Sequence, residues 1–207
     1  MYEFYALVGV VIVFAILFAV GLRSNANAMI RYAEQIRSAS SPFCKFVGFK
    51  RYSRGFKALC LPKEDMLFNR IDITVSLTWR ENPMYYILYP FLRDRDRIFV
   101  WGTLTKKHNM NIQICKRNCF KKFNKSFEKI ELNKFGMIAV IDNLEKGKEV
   151  LDKIEEDLFA SKNCIDFFSI KDDEIWIKIV GRIVDDYSIK NIFNLLMKSG
   201  YVMEDFV

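Results

Sequence analysis

The stretch FYALVGVVIVFAILFAVGL, residues 4–22, contains no charged side chain. As an α-helix it is about 28 Å long, close to the roughly 30 Å hydrocarbon thickness of a bilayer. It therefore predicts a transmembrane anchor. The side chains expected to contact the membrane are Phe4, Tyr5, Val11, Phe14, Leu17, Phe18 and Leu22, with Arg23 at the boundary.

Two other interpretations of this stretch are a cleaved signal peptide and a buried core helix. A cleaved signal peptide is suggested by the small residues of Ala26-Asn27-Ala28. However, no Lys or Arg precedes the apolar run, and the run is longer than a typical signal-peptide core. A buried core helix is the third interpretation, but such a helix is rarely apolar on every face. The uncleaved anchor is the preferred prediction.

The charges that follow the anchor predict its orientation. Eight basic residues follow, opposed only by Glu34 in the same stretch. They are Arg23, Arg31, Arg37, Lys45, Lys50, Arg51, Arg54 and Lys57. The positive-inside rule then places the folded domain in the cytosol and the N-terminus across the membrane. The same charges are expected to attract anionic lipid headgroups.

Composition predicts one domain behind the anchor. The chain has 207 residues with a net charge of +7, and the part after the anchor has the size of a single domain. We expect an anchor at 1–25, a juxtamembrane helix and linker at 26–42, and a cytosolic domain at 43–207. Five widely spaced cysteines, an odd number, indicate reduced thiols rather than a disulfide framework.

Hydrophobic periodicity predicts an α+β fold with an antiparallel-rich sheet, because strands and helices alternate without a regular βαβ pattern. A helix begins at Asn82-Pro83, since Asn caps well and Pro suits the first helical turn. Asp142 with Glu145 indicates another N-terminus, and Gly200 is taken as the end of the last helix. Strands are expected at 43–49, 56–61, 71–77, 97–104, 111–115, 137–141, 165–170 and 174–180.

Catalytic motifs are absent from the sequence. It has no phosphate-binding glycine loop, nucleophile elbow or H-E-x-x-H motif, so neither an enzyme nor a cofactor is predicted. His108 and the pair Asp94 and Asp96 are interpreted as solvent-exposed. Cys115 and Cys119 resemble half of a metal site, but no second pair follows them, so no metal is predicted.

One basic segment is a candidate binding surface. At 100° per residue, residues 116–131 form a helix whose apolar side contains Phe120, Phe123, Phe127 and Ile130. Its basic side is a candidate contact for phosphates of ribosomal RNA or anionic lipid, with an ordinary solvated face as the alternative. The candidate phosphate-binding residues are Lys116, Arg117, Lys121, Lys122, Lys125 and Lys129.

Residues 48–207 resemble the calumin family, coiled-coil-domain proteins of the endoplasmic reticulum and subunits of the PAT complex of the multipass translocon. The resemblance is clearest in IDITVSLTWRENPMYYILYPFLRDRDRIFVWGTL (71–104) and MNIQICKRNCFKKFNKSFEKIELNKF (110–135). It continues in GMIAVIDNLEKGKEVLDKI (136–154) and IWIKIV (175–180).

The resemblance implies a non-catalytic chaperone role. Family members have one membrane helix and a cytosolic α+β domain, contact the ribosome beside the Sec translocon, and pair with the small membrane protein Asterix. Together they shield nascent multipass membrane proteins during insertion. The family's acidic luminal region and basic coiled-coil tail have no counterpart in these 207 residues. Ribosome contact is therefore expected on the globular domain.

The alternative to a translocon-associated insertion factor is a membrane-tethered module that binds anionic lipid or acts as a scaffold. A membrane-anchored enzyme of unrecognised type ranks third, and a deep polar pocket with convergent titratable groups would favour it.

Overall fold

A computed structural model describes residues 2–64, 66–88, 95–108, 110–116, 127–171 and 174–205. Its first element, α1 (Tyr2–Ser40), is a single helix of 39 residues. The predicted anchor and the predicted juxtamembrane helix are therefore one continuous element. It is long and apolar enough to cross a membrane, and within the described ranges it is the one helix with that property.

The rest of the described chain forms an α+β fold, as predicted. Its strands are β1 (Cys44–Tyr52), β2 (Gly55–Pro62), β3 (Phe68–Ser76), β4 (Arg97–Leu104), β5 (Ile112–Lys116), β6 (Glu128–Leu132), β7 (Met137–Ile141), β8 (Ile165–Lys171) and β9 (Glu174–Arg182). Its helices are α2 (Pro83–Leu88), α3 (Leu144–Ser161) and α4 (Ser188–Glu204), with a 3₁₀ turn at Asn133–Phe135.

The nine described strands form one sheet in the order β1-β2-β3-β4-β9-β8-β5-β7-β6. Every described strand pair is antiparallel. Strand alternation produces two different faces. In β3, Ile71, Ile73 and Val75 are buried, whereas the intervening Asp72 and Thr74 are partly exposed.

Helices pack on the buried face of the sheet. A Cβ atom added to Gly102 of β4 would lie 3.1 Å from Leu196 of α4, and one added to Gly147 of α3 would lie 2.2 Å from Ile141 of β7. The Arg37 guanidinium of α1 lies 5.6 Å from the centre of the Phe49 ring. Phe49 shares a face with the buried Ala58 of β2, because the two residues are paired.

Two predicted helix ends are wrong. Asp142 is not the cap of α3; the Asn143 side chain accepts a hydrogen bond from the Lys146 N–H at 3.2 Å. Asp142 instead accepts hydrogen bonds from Asn111. Nor does Gly200 end α4, which continues to Glu204. Gly200 is there for close packing, since an added Cβ would lie 2.5 Å from the Phe68 ring.

The predicted basic helix is also wrong at both ends. Lys116 is the last residue of β5, and residues 128–131 belong to β6. Residues 117–126 lie outside the described residues. β6 is a terminal strand of the sheet, and charged side chains are typical of edge strands because they oppose pairing with another chain. The pattern Glu-Lys-Ile-Glu-Leu therefore fits an exposed edge as well as it fits a helix.

Candidate functional site at the junction of anchor and domain

The two halves of α1 have different surroundings. In the most apolar 18-residue window of the helix, only 6% of the residues are buried. The predicted membrane-contacting residues Phe4, Tyr5, Val11, Phe14, Phe18, Leu22 and Arg23 are exposed, and Leu17 is half-buried. A helix with large apolar side chains exposed all round is suited to lipid rather than to water.

The second half of α1 packs on the domain. Its buried residues recur every three or four positions, the spacing of one helix face. They are Gly21, Asn25, Ala28, Tyr32, Ile36 and Ser40. Juxtamembrane residues 26–40 therefore contribute to the core of the domain rather than forming a separate linker.

A buried polar cluster, which we call the anchor junction, joins α1 to the ends of β3 and β4. It consists of Asn25, Tyr32, Thr78, Arg80 and Asp96. One Asp96 carboxylate oxygen accepts hydrogen bonds from the Thr78 N–H at 2.8 Å and the Thr78 hydroxyl at 3.0 Å. The other accepts from the Tyr32 hydroxyl and from Arg80, both at 2.8 Å. Arg80 also donates to the Asn25 side-chain oxygen at 2.9 Å.

Asp96 is the centre of the junction, and its predicted exposure is wrong. Its side chain is 1% exposed. Burial alone would raise the pKa of Asp96, but hydrogen bonds from Arg80 and Thr78 and the charge of Arg80 stabilise the carboxylate. The net result is a pKa below the usual value. Burial and the adjacent Asp96 together raise the pKa of Tyr32, so its hydroxyl remains a donor at neutral pH.

Close backbone contact completes the junction. A Cβ atom on Gly21 would lie 2.0 Å from the Arg80 carbonyl oxygen and 2.7 Å from the Glu81 Cα. Glycine is therefore required for this approach of α1 to the loop after β3. The Asn25 side-chain amide donates to the Glu81 carboxylate and to the Thr78 carbonyl. The loop is thus fixed to α1 where the apolar half of the helix ends.

The two predicted phosphate-binding residues that the structure describes, Lys116 and Lys129, do not share a helical face. Lys116 is paired with Met137 and Lys129 with Val140 across neighbouring strand pairs. Because residues 137 and 140 alternate in β7, the two lysines lie on opposite faces of the sheet. The Lys116 ammonium is 2.9 Å from the Asp166 carboxylate, whereas Lys129 is exposed on the edge strand. Arg117, Lys121, Lys122 and Lys125 lie outside the described residues.

Other candidate sites have little room for a substrate. His108 is 2% exposed, so the prediction that it lies in the solvent is wrong. The cavity beside it has a volume of about 20 Å³, comparable to the space of one water molecule. Cys44, Cys60 and Cys164 are buried free thiols, and Cys115 is buried as well. Within the described ranges, no group of three or more His, Cys, Asp or Glu side chains is placed to hold a metal ion.

Comparisons with known proteins leave the family open. No family model and no curated protein matches the chain. The crystal structure of the mycobacterial trehalose monomycolate transport factor A, TtfA, is similar over 84% of this chain and 92% of that one. The TM-score is 0.47 and the sequence identity is 7%. A likeness of this strength carries no argument about function.

Proposed function

We propose that this protein is a non-catalytic membrane-protein biogenesis factor that works at the ribosome-bound Sec translocon of the endoplasmic reticulum. In this role it assists the insertion of multipass membrane proteins and shields their nascent segments. Asterix is the proposed membrane partner. The resemblance of residues 48–207 to the calumin family supports the translocon part of the proposal.

The anchor junction supports the part of the proposal that places the domain at the membrane surface. A flexible tether would let the domain move away from the membrane. Here the Asp96 carboxylate binds Tyr32 of α1 and Arg80 of the loop after β3, so the helix that leaves the domain is fixed to it. Such a protein holds its domain at a constant distance from the membrane. This suits a factor that receives a nascent chain beside a translocon.

A cytosolic position of the domain is part of the proposal. Arg23 and Arg31 lie on α1 directly after its apolar half, as the positive-inside rule requires of the cytosolic side. The buried free thiols of Cys44, Cys60 and Cys164 suit a reducing compartment. Burial raises the pKa of Cys164 to about 11, so this thiol stays protonated and unreactive at neutral pH.

Purification of the tagged protein from its own membranes in mild detergent tests the translocon role. Ribosomal RNA, Sec translocon subunits and Asterix are scored in the eluate. Co-purification of all three is the expected result. Recovery of the protein from the membrane fraction without ribosomes or translocon would contradict the proposal.

A charge-reversal variant locates the ribosome contact. Changing Lys121, Lys122, Lys125 and Lys129 to Glu should weaken ribosome binding and reduce its salt dependence, because fewer phosphates are neutralised. The matched control reverses four exposed lysines of α3 and α4. These are Lys146, Lys148, Lys190 and Lys198. Equal binding by the two variants would remove the segment around Lys121 from the mechanism.

A second candidate function, a membrane-tethered module that binds anionic lipid, is favoured by a specific observation. Three arginines, Arg23, Arg31 and Arg80, line one groove beside the end of the apolar half of α1. Binding of the protein to anionic vesicles without ribosomes, together with a negative purification result, would favour this function over the first.

A further inference from the structure

Three large apolar side chains are exposed in the segment that follows β3. Trp79 is 52% exposed, Met84 is 46% exposed and Leu88 is 43% exposed. Single exposed apolar residues are ordinary on protein surfaces. Three within ten residues, on a short helix and the loop before it, are typical of a surface that contacts a partner or a membrane.

The position of this segment points to the membrane. Residues 2–20 of α1 span about 28 Å as a helix, so a bilayer of about 30 Å would end near Gly21. Gly21 lies against the backbone of Arg80 and Glu81. Pro83, where α2 begins, is two residues further on and therefore within about 7 Å of Glu81. α2 thus begins in the interfacial layer of the membrane that α1 crosses.

The charges around the same point are those that a headgroup layer favours. An open groove of about 460 Å³ lies between α1 and the loop after β3. It is lined by Val20, Arg23, Ser24, Asn27, Ala28, Arg31 and Arg80. Among the residues that the structure describes, no carboxylate lines this groove.

The three arginines have different roles in the groove. Asp96 compensates the charge of Arg80, and hydrogen bonds to Asp96 and Asn25 fix the position of this guanidinium. Arg23 and Arg31 extend from exposed positions of α1. Arg31 also lies 5.1 Å from the centre of the Tyr32 ring, which restricts its side chain. Arg23 and Arg31 are therefore the groups available to attract phosphates.

We propose that residues 79–88 and this arginine groove form a second membrane contact beside the anchor. Trp79, Met84 and Leu88 lie at the boundary between headgroups and acyl chains, as interfacial aromatic and apolar residues do. Arg23, two residues after Gly21, binds the phosphates of anionic phospholipids, and Arg31, about 15 Å beyond Gly21 along α1, adds a longer-range attraction. The occupant is the lipid of the membrane that α1 crosses, because the groove is continuous at Val20 with the apolar half of α1.

This contact rests on the membrane anchor of the proposed function but on neither the ribosome nor the translocon. It is tested with the full chain reconstituted in vesicles that contain neither. Trp101→Phe and Trp176→Phe leave Trp79 as the only tryptophan. Phosphatidylcholine brominated near the glycerol end of its acyl chains is the quencher, with and without phosphatidylserine.

A matched control comes from the opposite end of the sheet. In a tryptophan-free background, Tyr201→Trp places the fluorophore at a site that is 45% exposed. The Tyr201 hydroxyl lies 3.5 Å from the Met66 sulfur. Met66 comes before β3 and Trp79 after it, and β3 separates the two by about 30 Å. A third variant, Phe14→Trp in the same background, reports whether α1 is in the bilayer.

Trp79 is expected to lose fluorescence in brominated vesicles, and more so when phosphatidylserine is present. Tyr201→Trp should keep its fluorescence and Phe14→Trp should lose it. Arg23→Gln with Arg31→Gln should abolish the phosphatidylserine enhancement. Lys148→Gln with Lys190→Gln, which removes the same amount of charge from exposed positions of α3 and α4, should preserve it.

Equal fluorescence of Trp79 and Tyr201→Trp in brominated vesicles would overturn the proposal. Protection of Trp79 from iodide in native membranes, without quenching in brominated vesicles, would indicate a protein occupant and would overturn it as well. If Phe14→Trp is not quenched, α1 is not in the bilayer. That result would contradict both the membrane anchor and the proposed second contact. A negative ribosome purification, by contrast, leaves this contact unchanged.

Discussion

The two halves of α1 share one backbone geometry but have different surroundings. Residues 2–20 expose large apolar side chains on all sides, whereas residues 21–40 bury one stripe against the domain. Hydrogen bonds within a helix satisfy its own backbone in either environment. The side chains therefore decide where each half lies. In the proposed function, this difference within one helix is what fixes the domain to the membrane.

The largest effect is expected at the centre of the anchor junction. Asp96→Asn removes the charge that compensates the half-buried Arg80. Breaking such a pair typically lowers the free energy of unfolding by about 3–5 kcal/mol. Denaturant unfolding of the full chain in detergent measures the loss. Asp72→Asn is the matched control, because Asp72 pairs with Arg70 on the surface, where such pairs contribute about 0–1 kcal/mol.

The pH dependence of the free energy of unfolding tests whether Asp96 stabilises the protein through its negative charge. The pKa of Asp96 is lowered in the folded protein, so its stabilising effect is fully present above the unfolded value of about 3.9. It is lost as the pH falls through the folded pKa. The stability difference between Asp96→Asn and the unchanged protein should therefore be constant from pH 5 to 7 and shrink below about pH 4. A difference that shrinks between pH 5 and 7 would contradict this assignment.

Paired isoleucine variants compare the two halves of α1 directly. Ile36 is 0% exposed and Ile16 is 57% exposed. Ile36→Ala leaves a cavity in the core and should lower the free energy of unfolding of the domain by about 2–5 kcal/mol. Ile16→Ala changes only an exposed side chain in the apolar half of α1, so the domain should unfold at the same denaturant concentration as the unchanged protein. Similar losses in both variants would show that the two halves share one environment.

Paired glycine variants give a smaller expected effect. Gly21→Ala forces the loop at Arg80 away from α1, and overpacking of this kind costs about 1–3 kcal/mol. Gly9→Ala is the control, since an added Cβ there has no neighbouring atom within 4 Å. Thermal unfolding of the two variants in the same detergent provides the comparison. A Gly21→Ala protein as stable as Gly9→Ala would contradict the close contact at the junction.

Local patterns were sufficient to predict most of the fold. β4 and β7 begin and end at the predicted residues, 97–104 and 137–141. The cap of α2 is also confirmed, because the Asn82 side chain accepts a hydrogen bond from the Met84 N–H at 3.0 Å. These features depend on neighbours in the sequence. For that reason the sequence alone contains enough information to predict them.

The candidate site was not predictable in the same way. Asp96 lies in the charged run Arg93-Asp94-Arg95-Asp96-Arg97, a pattern typical of a solvated loop. Its burial depends on Tyr32, which is 64 positions away in the sequence. His108, in a polar run, is likewise buried by tertiary packing. The helix predicted over residues 116–131 is wrong at its ends for another reason, since the charged edge strand β6 and a helical stripe share much of their pattern.

Hydrogen exchange of the full chain in lipid nanodiscs tests the central claim, that α1 passes without a break from the membrane into the domain. The backbone amides of residues 21–27 decide between the two possibilities, because they follow the apolar half of α1 and precede most of the packed stripe. The account predicts that they exchange as slowly as those of residues 32–40, through global unfolding. Rapid exchange confined to residues 21–27 would reveal a flexible hinge, and it would contradict a domain held rigidly at the membrane surface.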